Sequence, residues 1–182
     1  MKVLVLYYSQ TGQLKEIVKN CLRPLDDDAS IEVDLCKVET EHQFPFPWSR
    51  LDFFNAFPES VYGTPFSLKP LQIDESKNYD LVILAYTVWY LNPSIPISSF
   101  LQSNAAKSIL KGKKVVTLLG SRNMWVLAQE KVKRHLKTLN ADLIGNIVLI
   151  DRNPNLVSII TIVRWMFYGK KNSFWGFPRA GI

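Results

Sequence analysis

The chain alternates between short apolar stretches and amphipathic stretches, a pattern that predicts strands and helices in turn. Residues 3–8 form an apolar run, which is typical of a strand buried on both faces of a parallel sheet. A helix follows, with apolar residues every three or four positions over residues 14–22, and Pro24 predicts its end near Arg23. Alternating apolar and polar residues at 31–38 predict an edge strand with one solvated face, and further apolar runs predict strands at residues 80–86, 114–119 and 143–150.

Helices are predicted between the later strands and after the last one. Pro96 favours a first helical turn, and Phe100 returns that helix to the core. Residues 125–139 form an amphipathic helix in which Gln129 and the lysines are expected to face solvent. Its predicted inward face consists of Ala128, Val132, Leu136 and Leu139. The final helix, residues 156–168, is apolar around most of its circumference, so the sheet, a second subunit or another partner must cover it.

Strands separated by helical stretches predict an α/β fold with a parallel sheet, and the length fits one domain, residues 1–182. Residues 41–78 interrupt the alternation between the second and third strands. A short helix is predicted at residues 49–57, before Pro58. The insertion carries many aromatic side chains: Phe44, Phe46, Trp48, Phe53, Phe54, Phe57, Tyr62 and Phe66. These form a small core over a sheet edge or an aromatic wall above a flat ligand, and the two roles are compatible.

Charge, cysteines and histidines narrow the function classes. Lys and Arg number 22 against 16 Asp and Glu, a net charge of +6, but the basic residues lie in separate groups, which argues against nucleic-acid binding. Cys21 and Cys36 have no pairing pattern and are expected to be buried thiols of a reducing compartment, so a cytoplasmic location is expected. His42 and His135 lack metal-ligand spacing, so no metal site is predicted. No apolar stretch is long enough to predict an integral membrane segment.

The loop after the first strand has the chemistry of an anion site. It reads Ser9, Gln10, Thr11 and Gly12, and Gln13 and Leu14 open the helix. Free N–H groups of a first helical turn, the helix dipole and two hydroxyls all favour a bound anion. Neither the P-loop lysine nor the dinucleotide glycine fingerprint is present. Taken alone, such a turn is more often a simple helix N-cap.

This strand, loop and helix resemble the phosphate loop of the flavodoxin-like proteins, which wraps the phosphate of FMN. The resemblance implies FMN as the cofactor and assigns Ser9 through Leu14 to phosphate binding. Leu14 stands where the family usually has another hydroxyl residue. The family's fold is a three-layer sandwich whose five-stranded parallel sheet has the order 2-1-3-4-5. In that order the ends of strands one, three and four meet around the switch point, where such sheets bind ligands.

Two later loops extend the resemblance. Thr87, Val88, Trp89 and Tyr90 follow the third strand and resemble the loop beside the isoalloxazine ring. Gly120, Ser121, Arg122 and Asn123 follow the fourth strand, at the family's position for the pyrimidine edge of the flavin, where more glycines are frequent. Arg122 would place a cation near N1 and C2=O of the flavin. The competing interpretations are that Trp89 and Tyr90 are core aromatics and that Arg122 is an ordinary surface arginine.

Several runs, including FPFPWS, SIPISSFL, GSRNMW and NPNLVSIITIVRWMF, resemble a narrower group. These are bacterial flavodoxin-like proteins labelled dialkylresorcinol condensing enzymes, associated with aryl-polyene and flexirubin-type pigment pathways. The resemblance implies an FMN-dependent oxidoreductase acting on an aromatic or polyketide-like substrate, with NAD(P)H or an oxidised acceptor as electron partner. No activated cysteine is visible, so a redox step that aromatises a ring suits the residues better than condensation. The alternatives are a flavodoxin-type electron carrier, which the basic composition disfavours, and a flavin-free binding module. A homodimer is one way to cover the last helix.

Overall fold

The structure is a computed structural model that describes residues 1–25, 28–74 and 76–182. The strands are β1 (Lys2–Tyr7), β2 (Glu32–Lys37), β3 (Leu81–Trp89), β4 (Asn92–Pro93), β5 (Lys114–Ser121) and β6 (Asp142–Ile150). The helices are α1 (Gln13–Leu22), α2 (Arg50–Tyr62), α3 (Ile95–Leu101), α4 (Asn104–Leu110), α5 (Val126–Thr138) and α6 (Asn155–Tyr168). A single 3-10 turn, Arg23–Leu25, follows α1.

The five long strands form one parallel sheet in the order β2-β1-β3-β5-β6. Numbered by these five strands alone, the order is 2-1-3-4-5, so the predicted fold class and strand order are confirmed. The remaining strand, β4, is two residues long and pairs antiparallel with the end of β3. A two-residue strand carries no hydrophobic periodicity, and for that reason the sequence did not predict it.

The central strands are covered on both faces, as the unbroken apolar run of β1 predicts. Leu4 and Leu6 pack in a buried cluster with residues of α3, α4 and α5. Val3 and Val5, which alternate with them, pack on the opposite face against α1. All four side chains are fully buried. Because successive strand residues point to opposite faces, this burial confirms the three-layer arrangement.

Two strands run further than the sequence predicted. Thr87, Val88 and Trp89 belong to β3, and Gly120 and Ser121 belong to β5, although all five were predicted as loop. The extensions exist because neighbouring strands supply hydrogen-bonding partners: β4 pairs with the end of β3, and β6 pairs with the end of β5. Such partners depend on tertiary structure and leave no local signal. The candidate residues are therefore held on the sheet itself, a more rigid support than a loop.

The insertion contains a longer helix than predicted. A stop before Pro58 was expected, but α2 continues through it to Tyr62. Proline removes the N–H that would bond to the Phe54 carbonyl, and both residues are exposed, so water can satisfy that carbonyl. Ser49 caps the helix through its Oγ, and Gly63, at φ 69°, ends it in the left-handed conformation.

Two predicted side-chain positions were wrong. Cys21 is exposed, because it lies on the solvent side of α1, whereas Cys36 is buried as expected. Gln129 was expected to face solvent but is only 4% exposed. It accepts a hydrogen bond from Tyr86 Oη (2.5 Å) and donates one to Thr117 Oγ1 (3.1 Å). A buried amide is stable there because both of its polar atoms have partners. The predicted inward face of α5 is buried.

The last helix packs against the insertion and shows the reverse of the usual polarity. Ser158, Thr161 and Trp165 are buried. Four apolar side chains are instead exposed: Leu156, Ile159, Ile160 and Val163. At its far end the helix contacts the insertion through Phe167, whose ring lies 5.3 Å from that of Phe53. No helix in the described ranges is both long and apolar enough to cross a membrane.

Candidate functional site

A cavity of about 290 Å³ opens at the carboxyl ends of β1, β3 and β5. Its wall includes twelve of the residues predicted as a site: Ser9, Gln10, Thr11, Gln13, Leu14, Thr87, Val88, Trp89, Tyr90, Gly120, Ser121 and Arg122. The two other predicted residues, Gly12 and Asn123, lie outside the lining. Among the residues that the structure describes, no three His, Cys, Asp or Glu side chains are grouped to hold a metal ion.

The first loop turns its hydroxyls onto the start of α1. Ser9 Oγ accepts a hydrogen bond from the Lys15 amide (3.2 Å), and Thr11 Oγ1 accepts one from the Gln13 amide (3.3 Å). Gly12 precedes the helix at φ 83°, a left-handed conformation that strains residues with a Cβ. The same groups therefore cap the helix and form a cradle of donors. An anion could accept from these amides while the hydroxyls rotate to donate to it.

Two long side chains connect this loop to distant segments. Gln10 Nε2 donates to the Pro45 carbonyl (2.7 Å) in the insertion, and Gln13 Nε2 donates to the Ile182 carbonyl (3.1 Å). Leu14 also reaches the cavity wall but is only 2% exposed, and it packs in the cluster between α1 and the sheet. A hydroxyl at this position would enter an apolar environment, which gives a physical reason for leucine here.

A strained turn holds the aromatic pair at the end of β3. Trp89 pairs with Asn92, and the two residues between them, Tyr90 and Leu91, have φ angles of 47° and 65°. A two-residue turn with positive φ at both positions normally contains Asn or Gly. For other residues this conformation costs about 1–2 kcal/mol each. Tyr90 Oη donates to the Phe53 carbonyl, and burial raises the pKa of the Tyr90 phenol. These contacts fix the Tyr90 ring beside the cavity.

The insertion forms a small core and part of the cavity wall. The Trp89 ring has edge-to-face contacts with Tyr8, Phe44 and Trp48, at centroid distances of 5.8, 5.1 and 5.4 Å. Aromatic pairs of this geometry stabilise by about 0.5–1.5 kcal/mol each beyond their buried area. Three side chains of the insertion also line the cavity: Phe46, Trp48 and Phe53. The small core predicted for the insertion is therefore present, whereas its role as a wall above a flat ligand stays a prediction; Trp89 packs in this core and also lines the cavity.

The third predicted segment forms another part of the wall. A Cβ built at Gly120 would lie 3.1 Å from Ile182 Cδ1 and 3.7 Å from Leu14 Cδ1, so the missing side chain of glycine lets Ile182 pack closely against β5. Arg122 and Asn123 both donate to Asn155 Oδ1, at 2.5 and 3.1 Å. Because Asn155 is the first residue of α6, that helix positions the segment. Only the arginine of the pair reaches the cavity.

Several lining residues were missed by the sequence analysis. Asp151 follows β6, is 8% exposed and accepts hydrogen bonds from Ser158 Oγ (2.6 Å) and from Asn153 Nδ2 (2.8 Å). The sequence could have indicated Asp151 as a site residue, because it directly follows a predicted strand, as the other predicted site segments do. The α6 residues of the wall had no comparable signal: Ile162, Trp165 and Met166. Ile17 of α1, Gly181 and Ile182 complete the lining.

Solved structures share this architecture. A flavoprotein in complex with FMN from Lactobacillus acidophilus NCFM has a TM-score of 0.64 and 20% identity, over 81% of this chain and 92% of its own. A proposed flavoprotein from Bacteroides eggerthii DSM 20697 has a TM-score of 0.62 and 16% identity, over 89% of this chain and 96% of its own. Another proposed flavoprotein, from Bacteroides uniformis ATCC 8492, has a TM-score of 0.60 and 16% identity, over 84% of this chain and 92% of its own.

The chain has a flavodoxin-like fold. No protein-family model matches it, and no curated protein does. At 16–20% identity, the similarity of this flavodoxin-like chain to the solved structures establishes the fold alone. Its ligand must therefore be argued from the cavity.

Proposed function

We propose that the protein binds FMN in the cavity at the ends of β1, β3 and β5 and is an FMN-dependent oxidoreductase. Its substrate would be an aromatic or polyketide-like compound, with NAD(P)H or an oxidised acceptor as electron partner. The observation that carries the proposal is that three segments, distant in sequence, line one cavity at the switch point of the sheet. The FMN complex of a Lactobacillus protein with the same fold supports it.

The donors at one end of the cavity suit a phosphate. Ser9 and Thr11 hydroxyls and the first-turn amides of α1 would hold it, beside the positive end of a ten-residue helix. The loop at this end carries no carboxylate that would repel an anion. Thr87 through Tyr90 would flank the ring system, and Arg122 would face its pyrimidine edge and favour negative charge there.

The aromatic wall supports a small-molecule substrate over a protein electron partner. Phe46, Trp48 and Phe53 line the cavity with apolar surface, which suits a flat or long apolar compound. Conversion of a cyclohexanedione-like ring to a resorcinol removes two electrons and two protons from the ring, so bound FMN would have to accept a hydride and an oxidised acceptor, not NAD(P)H, would have to take the electrons from it. The sequence resemblance to dialkylresorcinol condensing enzymes is the support for placing this aromatising step in dialkylresorcinol or aryl-polyene biosynthesis.

The first test is the visible absorption spectrum of freshly purified protein, repeated after adding FMN and desalting. We expect flavin bands at a near-stoichiometric ratio to protein. Anaerobic addition of a cyclic dione alone to the oxidised flavoprotein should then bleach the flavin if the ring is aromatised, and a separate addition of NADH or NADPH tests whether a nicotinamide can reduce it. A protein that stays colourless after FMN addition would exclude the oxidoreductase and leave a flavin-free binding module. A flavin that responds to no small molecule would favour the electron carrier.

A further inference from the structure

A second cavity, of about 380 Å³, shares no lining residue with the candidate FMN cavity. Four elements meet around it: the end of α2, the short strand β4, helix α3 and helix α5. Most of its wall is polar, and two side chains that line it, Ser98 and Asn92, are only 8% and 5% exposed. Buried polar side chains on a cavity wall suit a polar ligand better than an apolar one.

One face of α5 brings positive charge to this cavity. Lys131, Arg134 and His135 are spaced at i, i+3 and i+4 and therefore lie side by side on the helix. The Lys131 ammonium is held at the wall by a hydrogen bond to Asn92 Oδ1. No carboxylate lines the cavity, and within residues 1–25, 28–74 and 76–182 neither Lys131 nor Arg134 forms an ion pair. Their hydrogen-bond acceptors are neutral, Asn92 Oδ1 for Lys131 and the Glu130 carbonyl (3.3 Å) for Arg134 Nε, so no described ion pair neutralises either charge.

Neutral donors complete the wall opposite the helix. Gln102 Nε2 donates to the Gly63 carbonyl (3.0 Å) and to the Ser98 carbonyl (3.1 Å), which fixes its amide. Ser98 Oγ accepts from the same amide at 3.3 Å, so its proton is free to donate to a ligand. A hydroxyl, an ammonium and a guanidinium around one cavity are the donor set that proteins use for phosphate.

We propose that this second cavity binds a phosphate group. The Arg134 guanidinium and the Lys131 ammonium supply the charge, and Ser98 supplies a neutral hydrogen bond. The Tyr62 ring, 84% exposed, also lines the cavity and offers a flat surface beside the phosphate. A nucleotide carrying a ribose phosphate and free inorganic phosphate share this chemistry, and the two sources can be separated by experiment.

His135 provides a direct readout that needs no flavin. Burial lowers the pKa of its imidazole, and the charges of Arg134 and Lys131 lower it further. A phosphate between these cations would bring negative charge close to the imidazole and raise the pKa of His135. The chain has only two histidines, so the ring-proton NMR signals are few, and His135→Gln identifies the signal by its loss.

The experiment titrates the full chain with inorganic phosphate and follows the His135 signal, with sodium chloride at equal ionic strength as the salt control. We expect a saturable shift with phosphate and none with chloride. Arg134→Gln should weaken binding by about tenfold, since it removes a charge-assisted hydrogen bond. Lys137→Gln removes the same charge from the same helix outside the cavity and should change the affinity by less than about twofold. Arg134 is exposed, so its loss should not unfold the protein.

A second series compares 2′-AMP, adenosine and inorganic phosphate. Tighter binding of 2′-AMP than of phosphate would identify a nucleotide as the source, and equal binding would identify free phosphate. The proposal is overturned if phosphate produces no saturable shift, if Lys137→Gln weakens binding as much as Arg134→Gln, or if adenosine binds as well as 2′-AMP. Because no step involves FMN, failure here is distinguishable from failure of the proposed function.

Discussion

Replacing Ser9 with alanine separates the two roles of the first loop, helix capping and anion binding. Ser9 Oγ accepts a hydrogen bond from the Lys15 amide at 3.2 Å, and Ser9 lines the cavity. Ser103 offers a matched control, because its Oγ accepts from the Ala106 amide at 3.1 Å at the start of α4, away from the cavity. Both alanine variants remove one hydroxyl from the start of one helix.

The magnitudes follow from these contacts. Loss of a side-chain cap costs about 1 kcal/mol, which is about 2–4 °C in Tm for a chain of this size, and this should hold for both variants. Only Ser9→Ala removes a donor to the FMN phosphate, worth about 1.5–3 kcal/mol for a hydrogen bond to a charged group. The freed Lys15 amide returns part of this energy by binding the phosphate itself. We therefore expect the lower end of the range, about a tenfold rise in Kd.

The assay pairs thermal unfolding of the flavin-free protein with quenching of FMN fluorescence during titration. Ser103→Ala should lower Tm without changing the Kd for FMN, and Ser9→Ala should change both. Equal FMN affinities in the two variants would show that the loop is only a helix cap. A loss of affinity in Ser103→Ala would show that the effect travels through stability and not through the phosphate contact.

Three further predictions concern the core, the cavity and the sheet edge. Tyr86→Phe leaves Gln129 Oε1 without its buried donor and should lower the free energy of unfolding by about 1–3 kcal/mol in urea titrations. Ile182→Gly removes a side chain that lines the cavity beside Gly120 and so widens the cavity. We therefore expect a lower Kd for FMN in the same fluorescence titration. The hydrogen bond from Lys77 lowers the pKa of Asp34 in the folded protein. The ionised Asp34 carboxylate therefore stabilises the fold above pH ~4, and this stabilisation is lost as the pH falls and the carboxylate is protonated. The Tm difference between wild type and Asp34→Asn should therefore shrink below that pH.

The sequence could predict those parts of the fold whose signals are local. An apolar run such as residues 3–8 states that both faces of β1 are buried, and the polar loop after it marks the end of the strand. Once five strands were counted, the topology placed their ends together. The Thr87–Tyr90 and Gly120–Arg122 segments were assigned by their resemblance to flavodoxin-like loops, and the rule that ligands bind at the carboxyl ends of the strands agreed with that assignment. The same rule applied to β6 would have found Asp151.

Features that depend on partners distant in sequence could not be predicted. Gln129 has the composition of a solvent-facing helix residue, and only the nearby Tyr86 hydroxyl makes its burial favourable. Pro58 predicts a helix end, yet the surrounding helix is exposed enough for water to replace the missing bond. The two-residue turn at Tyr90 and Leu91 contains no Asn or Gly, because aromatic packing and not turn propensity determines its conformation.

In helix α6, the number of apolar residues does not predict which face of the helix is buried. Amphipathic reasoning expects Ile159, Ile160 and Val163 to face the core, yet they are 39–44% exposed. The buried Asp151 carboxylate accepts hydrogen bonds from Ser158 Oγ and from Asn153 Nδ2, so the polar face of the helix has a hydrogen-bonding partner on its inner side. With that face inward, the helix delivers Ile162, Trp165 and Met166 to the cavity wall. The inward polar face of α6 thus coincides with the cavity wall, and the exposed apolar stripe is the part of the helix for which the sequence predicts cover by a second subunit or another partner.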